Sequence, residues 1–452
     1  MLRETSIDSG NHARALRAGC GFAIATRETL TFTVALALVA AGPVDATVYD
    51  ASPTDYRRIL RILEPGDELR LAEGAYSDGL PIHNIQGRPE APITISGALS
   101  GQRSVLLGRP GNNTVSLRDA AHIVIRDLEI HGRGAFVDAI KAEGDAAFAH
   151  HIRLERLTIH GFAREQQAVG ISTKCPAWNW EIVDNYIAGV GTGLYLGDSD
   201  GSAPFVGGLI EGNTIRDTIG YNLQIKHQIR RPELPGMPLQ RMRTIIRHNR
   251  FSKAHGGAAG ASARPNVLLG HFPLGGPGSD DEYVMYGNYF LQNPHEALFQ
   301  GEGNLAIYAN IFLNTHQSGF PAVAIQPHND IPRRVRVFFN TVVHPKMGIR
   351  IVSGAAFGVA DFKQVVVGNL LFADNGIEGG EQTGNVVRQF EEFDGRRAPL
   401  GENPCVPGIL HANAQAAPFR FERFQDLPSA HADFHGRVRS SEHVGACAPQ
   451  AQ

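Results

Sequence analysis

The sequence is poor in the residues that hold together small metal-bound or disulfide-rich domains. Its 452 residues include four cysteines, two tryptophans and five methionines. It contains no HExxH motif and no CxxC pair, so we assign no metal-binding residue. The formal net charge is only −3, which gives no strong overall field to attract nucleic acid or an anionic membrane. We therefore expect no nucleic-acid partner.

Long apolar runs are also scarce. The run from Thr29 to Ala41 follows Arg27 and is too short to cross a membrane comfortably. Small residues at positions 44 and 46 follow it, which is the pattern of a signal-peptide cleavage site. A buried N-terminal helix is the alternative. We predict that residues 1–46 are an export signal, that the mature protein has no membrane span, and that it is secreted or periplasmic.

Glycine is abundant, with 51 residues, and a hydrophobic content of 42% excludes a disordered chain. The most informative feature is a repeated motif of the form apolar, any, any, Asn, any, apolar, as in IVDNYI at positions 182–187. Two early copies carry leucine in place of asparagine. Successive copies are 22 (288 to 310) to 39 (249 to 288) residues apart. The central positions are Leu128, Leu157, Asn185, Asn213, Asn249, Asn288, Asn310, Asn340 and Asn369.

The copies alternate like short strands, and no helical pattern separates them. Repeats of this length predict a solenoid in which each copy forms one coil and the asparagines stack in a column. We predict an all-β, right-handed parallel β-helix over residues 47–375, with a β-sandwich as the alternative. An amphipathic helix over 54–63 would cap its N-terminal end. Residues 376–452 would form an irregular C-terminal cap, which a disulfide between Cys405 and Cys447 could fasten in an oxidising compartment.

A second strand follows each motif, and strand alternation places its polar side chains on one outward face. We expect this face to carry the function because no other face gathers so many charged and aromatic residues. Two neighbouring coils are enlarged by residues 228–243 and 272–281, which we expect to form walls beside the face. The first wall is basic and suits an acidic sugar chain. An acidic polysaccharide is therefore the predicted partner of a protein that we expect to be monomeric.

Residues 65–97 combine a PGD turn, a strand, a G-x-Y turn and a G-x-x-x-x-P-I-T-I segment. This opening resembles the alginate lyase and chondroitinase B-type β-helix enzymes of polysaccharide lyase family 6. The repeat extends the resemblance to about residue 375. The resemblance implies β-elimination, in which a base removes the proton next to a uronate carboxylate and the glycosidic oxygen leaves. In that family a lysine on one coil is the base, an arginine on the next coil assists, and calcium often binds the carboxylate.

The resemblance assigns the base to Lys226, within LQIKH at 223–227. On the next coil, Gly270 stands where the family has arginine, and His271 follows it. We predict that the catalytic residues are Lys226, His227 and His271. The predicted substrate-binding residues are Lys174, Tyr195, Gln224, Arg230, Arg231, Arg264, Glu302 and His328. Calcium is the one cofactor that the resemblance allows.

Other functions remain open at this point. A uronate C5-epimerase uses the same proton abstraction, and His271 or His328 could return the proton from the other face. An inverting glycoside hydrolase needs two carboxyl groups. Its candidates are Asp198, Asp200, Asp280, Asp281 and Glu302. A non-catalytic polysaccharide-binding or assembly protein could stack sugars on Trp178 and Trp180, although packing at a coil corner explains both tryptophans more simply.

Overall fold

The computed structural model describes residues 46–144, 147–354, 362–393, 404–405, 421–440 and 442–448. The predicted signal peptide, residues 1–46, lies outside this part of the chain except for its last residue. Across the described residues, no helix has both the length and the apolar character needed to cross a membrane.

The described chain folds into a right-handed parallel β-helix, as predicted. Each coil contributes one strand in turn to three long sheets, and every strand pairs in parallel with its counterparts on the neighbouring coils. The first sheet has 15 strands. They are Val48–Ala51, Glu68–Leu71, Ile93–Ser96, Ala120–Arg126, Ala149–Glu155, Ala177–Trp178, Glu181–Val183, Phe205–Val206, Leu209–Glu211, Arg243–Arg247, Glu282–Tyr286, Gly303–Tyr308, Pro332–Phe338, Gln364–Val367 and Glu381–Thr383.

The second sheet begins just after the asparagine of each motif and has 12 strands. They are Gly74–Tyr76, Ser104–Leu107, Glu129–His131, Thr158–His160, Tyr186–Ala188, Thr214–Arg216, Arg250–Ser252, Tyr289–Leu291, Ile311–Leu313, Thr341–Val343, Leu370–Phe372 and Val386–Arg388. The third sheet has 11 strands and is formed by the polar strands of the sequence analysis. They are Leu80–His83, Val115–Arg118, Ile140–Ala142, Val169–Thr173, Thr192–Leu196, Leu223–Ile225, Val267–Leu269, Phe299–Gly301, Val323–Ile325, Met347–Ile351 and Asn375–Glu378.

The core fills the space between the three sheets. The strand register places residues of the same type next to one another on successive coils. Ile182, Ile210 and Ile246 stack in this way, and each is fully buried. Burying one such side chain stabilises the fold by about 1.5–3 kcal/mol relative to leaving it exposed. In the third sheet, alternation directs Leu223 and Ile225 into the core. The intervening positions face outward, and this alternation creates the polar face.

The predicted asparagines form one buried column at the turn between the first and second sheets. Asn249 donates to the side-chain oxygen of Asn288 twice, from its backbone N–H at 3.0 Å and from its amide at 3.0 Å. The same pair of bonds links each predicted asparagine to the next, from Asn185 to Asn369. Asn385, which was not predicted, extends the column by one more coil. The column therefore confirms the proposed repeat.

The two ends differ in detail from the prediction. Near the N-terminal end, the helix is Tyr56–Leu60, shorter than the expected 54–63, and it packs on the first strands of the first and third sheets. All three sheets continue beyond residue 375, through Val386–Arg388. In the part of the chain that the structure describes, short 3-10 helices lie at Gly260–Ser262, Phe390–Glu392 and Phe421–Phe424.

The described C-terminal residues lie along the flank of the β-helix. Phe424 stacks on Phe338 with ring centroids 4.0 Å apart, which extends a ladder of aromatic rings from Tyr286 and Tyr308. The predicted disulfide between Cys405 and Cys447 is present and belongs to this packed cluster.

Candidate active site

The outward face of the third sheet carries two parallel columns of side chains, two residues apart along each strand. In the first column, Lys141 pairs with Ser172, Ser172 pairs with Tyr195, and Tyr195 pairs with Gln224. The pairing repeats on each coil, so residues far apart in sequence stand about 4.8 Å apart.

The second column follows directly after the strands and contains Lys174, Gly197 and Lys226. The backbone N–H of Lys174 donates to the Ala142 carbonyl at 3.0 Å, and that of Lys226 donates to the Leu196 carbonyl at 2.8 Å, which continues the ladder. Gly197 lies between the two lysines and has a φ of 95°. A Cβ atom there would come within 3.2 Å of the Lys226 Cβ. The glycine thus leaves the gap into which both lysine side chains can lean.

Both lysines approach the ring of Tyr195, and we call these three residues the Lys–Tyr–Lys cluster. The Nζ of Lys174 lies 3.5 Å from the ring centroid, and that of Lys226 lies 5.9 Å from it. The Tyr195 hydroxyl forms a 2.8 Å hydrogen bond with the Ser199 hydroxyl. Asp198 holds an oxygen 3.9 Å from the Lys174 Nζ. The structure thus brings together three residues that the sequence analysis predicted.

Burial shifts the protonation of all three members of the cluster. It lowers the pKa of Lys174 to about 8, although Asp198 and Asp138 act in the opposite direction. It also lowers the pKa of Lys226, against the opposing effects of Asp198 and Glu302. Burial raises the pKa of Tyr195. Near neutral pH, Lys174 is therefore closer to releasing its proton than an exposed lysine, whereas the phenol keeps its proton.

A groove of about 920 Å³ runs from this cluster towards the N-terminal end of the third sheet. Lys174 and Tyr195 line one end of it. Further along, its charged and polar lining includes His83, Arg109, Arg118, Asp138, Lys141 and Glu143. Most of the charged side chains in this lining are cationic. Ligands usually bind in concave sites with a few convergent polar groups, so the groove is a candidate binding site.

Asp138 braces the floor of the groove. Its carboxylate accepts from the Ser172 hydroxyl at 2.7 Å and from the Val169 backbone N–H at 3.0 Å, so it ties together two adjacent coils. Burial raises its pKa, although these two hydrogen bonds act in the opposite direction. Asp138 was not predicted because it lies in a connection just before a strand and outside the repeated pattern.

The predicted catalytic histidines lie one step further along the third sheet and do not line the groove. Their rings are neighbours, with centroids 5.3 Å apart. His271 is buried, and its Nδ1 donates to the Phe272 carbonyl at 2.7 Å. Burial, His271 and Lys226 together lower the pKa of His227. The two histidines are therefore close to Lys226 but more enclosed than the sequence analysis supposed.

The Glu302 carboxylate contacts the backbone of His328. One oxygen of the buried Glu302 carboxylate accepts from three successive backbone N–H groups, those of residues 328, 329 and 330, at 2.8–2.9 Å. Glu302 therefore stabilises a turn, and its predicted contact with substrate is not supported. The His328 side chain is exposed on that turn, away from the lining of the groove.

The predicted basic wall requires a correction. Arg231 has a fully buried side chain that forms an ion pair with Asp281, so it cannot contact a polysaccharide in this conformation. The pair does join the two enlarged loops side by side, as expected. However, Met237 of the first loop packs on Trp178, and neither loop lines the groove. The first loop packs on the outside of the first sheet because its apolar residues contact Trp178 and Val206 there.

The other residues predicted to bind substrate do not line the groove either. Arg230 is exposed on the loop. Arg264 is half-buried and donates to the carbonyls of residues 261 and 263 in its own loop. Gln224 is only 5% exposed, so the ladder around it covers the side chain that we expected to contact sugar. Trp178 and Trp180 are fully buried, so neither ring is accessible for stacking on a sugar.

The comparisons with known proteins concern the fold. No family model matches the sequence, and no curated protein matches it. A GH136 lacto-N-biosidase from Eubacterium ramulus is similar in structure, with 12% identity and a TM-score of 0.50 over 76% of this chain and 68% of that one.

Two further similar structures carry other activities in their names. A PL6 family alginate lyase has 14% identity and a TM-score of 0.44 over 76% of this chain and 51% of that one. The A-module of a mannuronan C-5 epimerase from Azotobacter vinelandii has 14% identity and a TM-score of 0.40 over 71% and 91%. The solved structures similar to this chain therefore carry the names of a biosidase, a lyase and an epimerase.

Proposed function

We propose that this protein cleaves an acidic polysaccharide by β-elimination next to a uronate carboxylate, and that the Lys–Tyr–Lys cluster performs the reaction. The observation that carries this proposal is the position of two half-buried lysines over one tyrosine at the end of a cation-lined groove. Elimination needs a base, a cation that neutralises the carboxylate, and a proton donor for the leaving oxygen. The cluster offers one group for each task.

The roles follow from the shifted protonation. Neutral Lys174, with its pKa of about 8, takes the proton from the carbon that bears the carboxylate. Charged Lys226 neutralises the carboxylate and stabilises the negative charge that develops on it. The electron pair of the broken C–H bond forms a carbon–carbon double bond and expels the glycosidic oxygen. The Tyr195 hydroxyl donates its proton to that oxygen and regains a proton from solvent as Lys174 releases one.

This assignment modifies the predicted one in two respects. Lys226 keeps a place in the mechanism, but as the cation, because Lys174 lies closer to Tyr195 and lines the groove. Tyr195 replaces His271 as the proton donor, because the Nδ1 proton of His271 is held by the Phe272 carbonyl. We assign no proton transfer to His227, whose ring lies beside that of His271.

The residues present do not fit a calcium site. Calcium takes six to eight oxygen ligands, usually including several carboxylates. Within the described chain, the cluster and the groove offer no three carboxylate or histidine groups close enough to share one ion. The proposed mechanism therefore assigns carboxylate neutralisation to Lys226 alone.

The groove supports an acidic substrate. Arg109, Arg118 and Lys141 extend the positive lining over two more coils beyond the cluster. Such a lining would hold the carboxylates of neighbouring sugar units and select a chain over a single sugar. We also propose that the protein meets this substrate outside the cytoplasm, after removal of residues 1–46.

The test is to incubate the purified protein with a panel of uronate-containing polysaccharides and to follow the ultraviolet absorbance of new carbon–carbon double bonds. Lys174→Met should lower the rate by about 10²–10⁴, the usual cost of removing an acid–base group. Lys346→Met, which removes an exposed lysine elsewhere, should leave the rate unchanged.

The other functions predict different products. New reducing ends without a double bond would indicate hydrolysis, and inversion at the carboxylate-bearing carbon without cleavage would indicate an epimerase. Binding of the polysaccharide without any chemical change would indicate a non-catalytic protein.

A further inference from the structure

Three histidines meet on the first sheet, around the corner from the groove. His122 lies on the strand Ala120–Arg126, and His150 and His151 lie on the neighbouring strand Ala149–Glu155. One nitrogen of each ring lies within 4.8 Å of a nitrogen of each other ring. Neither the repeated motif nor the proposed reaction accounts for this cluster.

Part of the arrangement belongs to the fold. His151 stands opposite His122, and Asn179 stands opposite His151, on three consecutive coils. All three have left-handed backbone conformations, with φ between 51° and 53°. Histidine and asparagine tolerate this conformation better than most residues. A turn that repeats on each coil therefore explains why the rings of His122 and His151 stack, with centroids 4.4 Å apart.

The turn does not explain His150. Its ring lies between His151 and Trp178, stacked on the tryptophan at 4.3 Å. Its Nδ1 points at the Nδ1 of His151, 2.7 Å away. Three partly buried imidazoles from two coils thus direct nitrogen atoms towards one another. Without an ion between them, the Nδ1 atoms of His150 and His151 share a single proton.

We propose that His122, His150 and His151 bind a divalent first-row transition metal ion such as Zn²⁺, which would clip two successive coils together. Imidazole nitrogens suit such ions, and three histidines with one position left for water form a known zinc ligand set. Tetrahedral zinc with bonds of about 2.0–2.1 Å places its ligand atoms roughly 3.3 Å apart. On binding, the Nδ1 atoms of His150 and His151 would move apart from 2.7 Å, and the His122 ring would move closer to them. Rotation of the side chains can produce both movements.

The surroundings prepare the rings for this role. All three rings are partly buried, and neutral imidazole is the form of histidine that binds a metal ion. Asn179 donates to the Nε2 of His151 at 3.0 Å. If its amide turns over, the Asn179 oxygen accepts from that nitrogen instead and leaves Nδ1 free for the metal. Outer-shell contacts of this kind orient metal-bound histidines in many proteins.

The experiment is calorimetric titration of the chelator-treated full chain with Zn²⁺, together with its thermal unfolding with and without Zn²⁺. We expect one ion per chain and an upward shift in Tm, because a ligand that binds only the folded state stabilises it. His122→Ala and His150→Ala should each weaken binding by at least about tenfold and abolish the Tm shift.

A matched control comes from a second pair of neighbouring histidines. His131 and His160 lie on successive coils of the second sheet with ring centroids 4.7 Å apart and ring planes tilted by 43°, and within the described residues they belong to no group of three possible metal ligands. His160→Ala should bind Zn²⁺ like the wild type. Should a variant misfold, titration of the folded wild type with Co²⁺ gives a second test, because histidine-bound Co²⁺ has an absorption spectrum that depends on its geometry. The proposal is overturned if His160→Ala weakens binding as much as His150→Ala does, or if folded wild type binds neither ion.

Discussion

The asparagine column offers a stringent test of the energetics of this fold, and Asn288 is its best-placed member. Its side chain is fully buried. Its oxygen accepts the backbone N–H of Asn249 at 3.0 Å, and its amide donates to the Ile246 carbonyl at 2.8 Å. Asn288→Ala removes both of these hydrogen bonds from a buried site. A buried group left without its partner costs about 1–3 kcal/mol, so the loss of two bonds should lower the free energy of unfolding by about 2–6 kcal/mol.

Asn385→Ala is the matched control. Asn385 accepts the backbone N–H of Asn369 and donates to the Val366 carbonyl at 2.8 Å, so it makes the same bonds as Asn288. It lies half-buried at the end of the column, where water can replace the lost partners, and its loss should cost about 1 kcal/mol or less.

The assay is chemical denaturation of both variants combined with hydrogen exchange. A long repeat array need not unfold in one step, and exchange reports on each coil separately. Exchange should accelerate most on the coils next to residue 288. Equal stability losses for the two variants would show that burial of the column is not what makes its hydrogen bonds important, and would refute the reasoning.

Three further predictions concern titrating and charged groups. The elimination rate should rise as pH approaches about 8, since Lys174 must be neutral to act as base, and Lys174→Arg should remove this rise in a pH–rate profile. Arg231→Met should lower the free energy of unfolding by about 3–5 kcal/mol, because it leaves Asp281 buried and unpaired, whereas KM should stay unchanged in the variant that remains folded. Lys253 is almost fully buried, with a pKa lowered by burial to about 7. Between pH 7 and the ordinary lysine pKa of about 10.4, the folded state then binds fewer protons than the unfolded state. The free energy of unfolding contributed at this site should therefore rise with pH across that window. In urea titrations at several pH values, Lys253→Met should flatten this rise.

The fold was predictable because it repeats. Residues that recur at one position of the motif, such as Asn213 and Asn249, need the same surroundings on each coil, and only stacked coils provide them. The ends were less predictable, since no repeat constrains them. The sequence around Tyr56–Leu60 supports a helix, but its length depends on contacts with strands that no local pattern reveals. The strands beyond residue 375 were missed because they lack the apolar pattern of earlier coils.

The site was predictable only in part. Lys174, Tyr195 and Lys226 were predicted to lie on one outward face of the third sheet, as the structure has them, because strand alternation determines which side chains point outward. The approach of both lysines to Tyr195 depends on Gly197. The role of this glycine becomes clear only when the residues beside it on the two adjacent coils are known. The loop containing Arg231 was misjudged for a related reason. Its basic residues suggested a ligand, whereas its methionines and Trp178 decided where it packs.

Both proposed sites arise from the same geometric rule. A parallel β-helix places residues that are a whole coil apart in sequence within about 4.8 Å in space, so its chemistry is arranged in columns across coils. Lys174 and Lys226 are 52 residues apart (226 − 174), yet they share one tyrosine ring. His122 and His151 are 29 apart (151 − 122), yet their rings stack. Motifs defined by short spacing along the chain cannot detect either cluster. Sequences of this fold are therefore better searched for chemistry by comparing equivalent positions on successive coils, where a lysine above a glycine, or a histidine above a histidine, marks a candidate site.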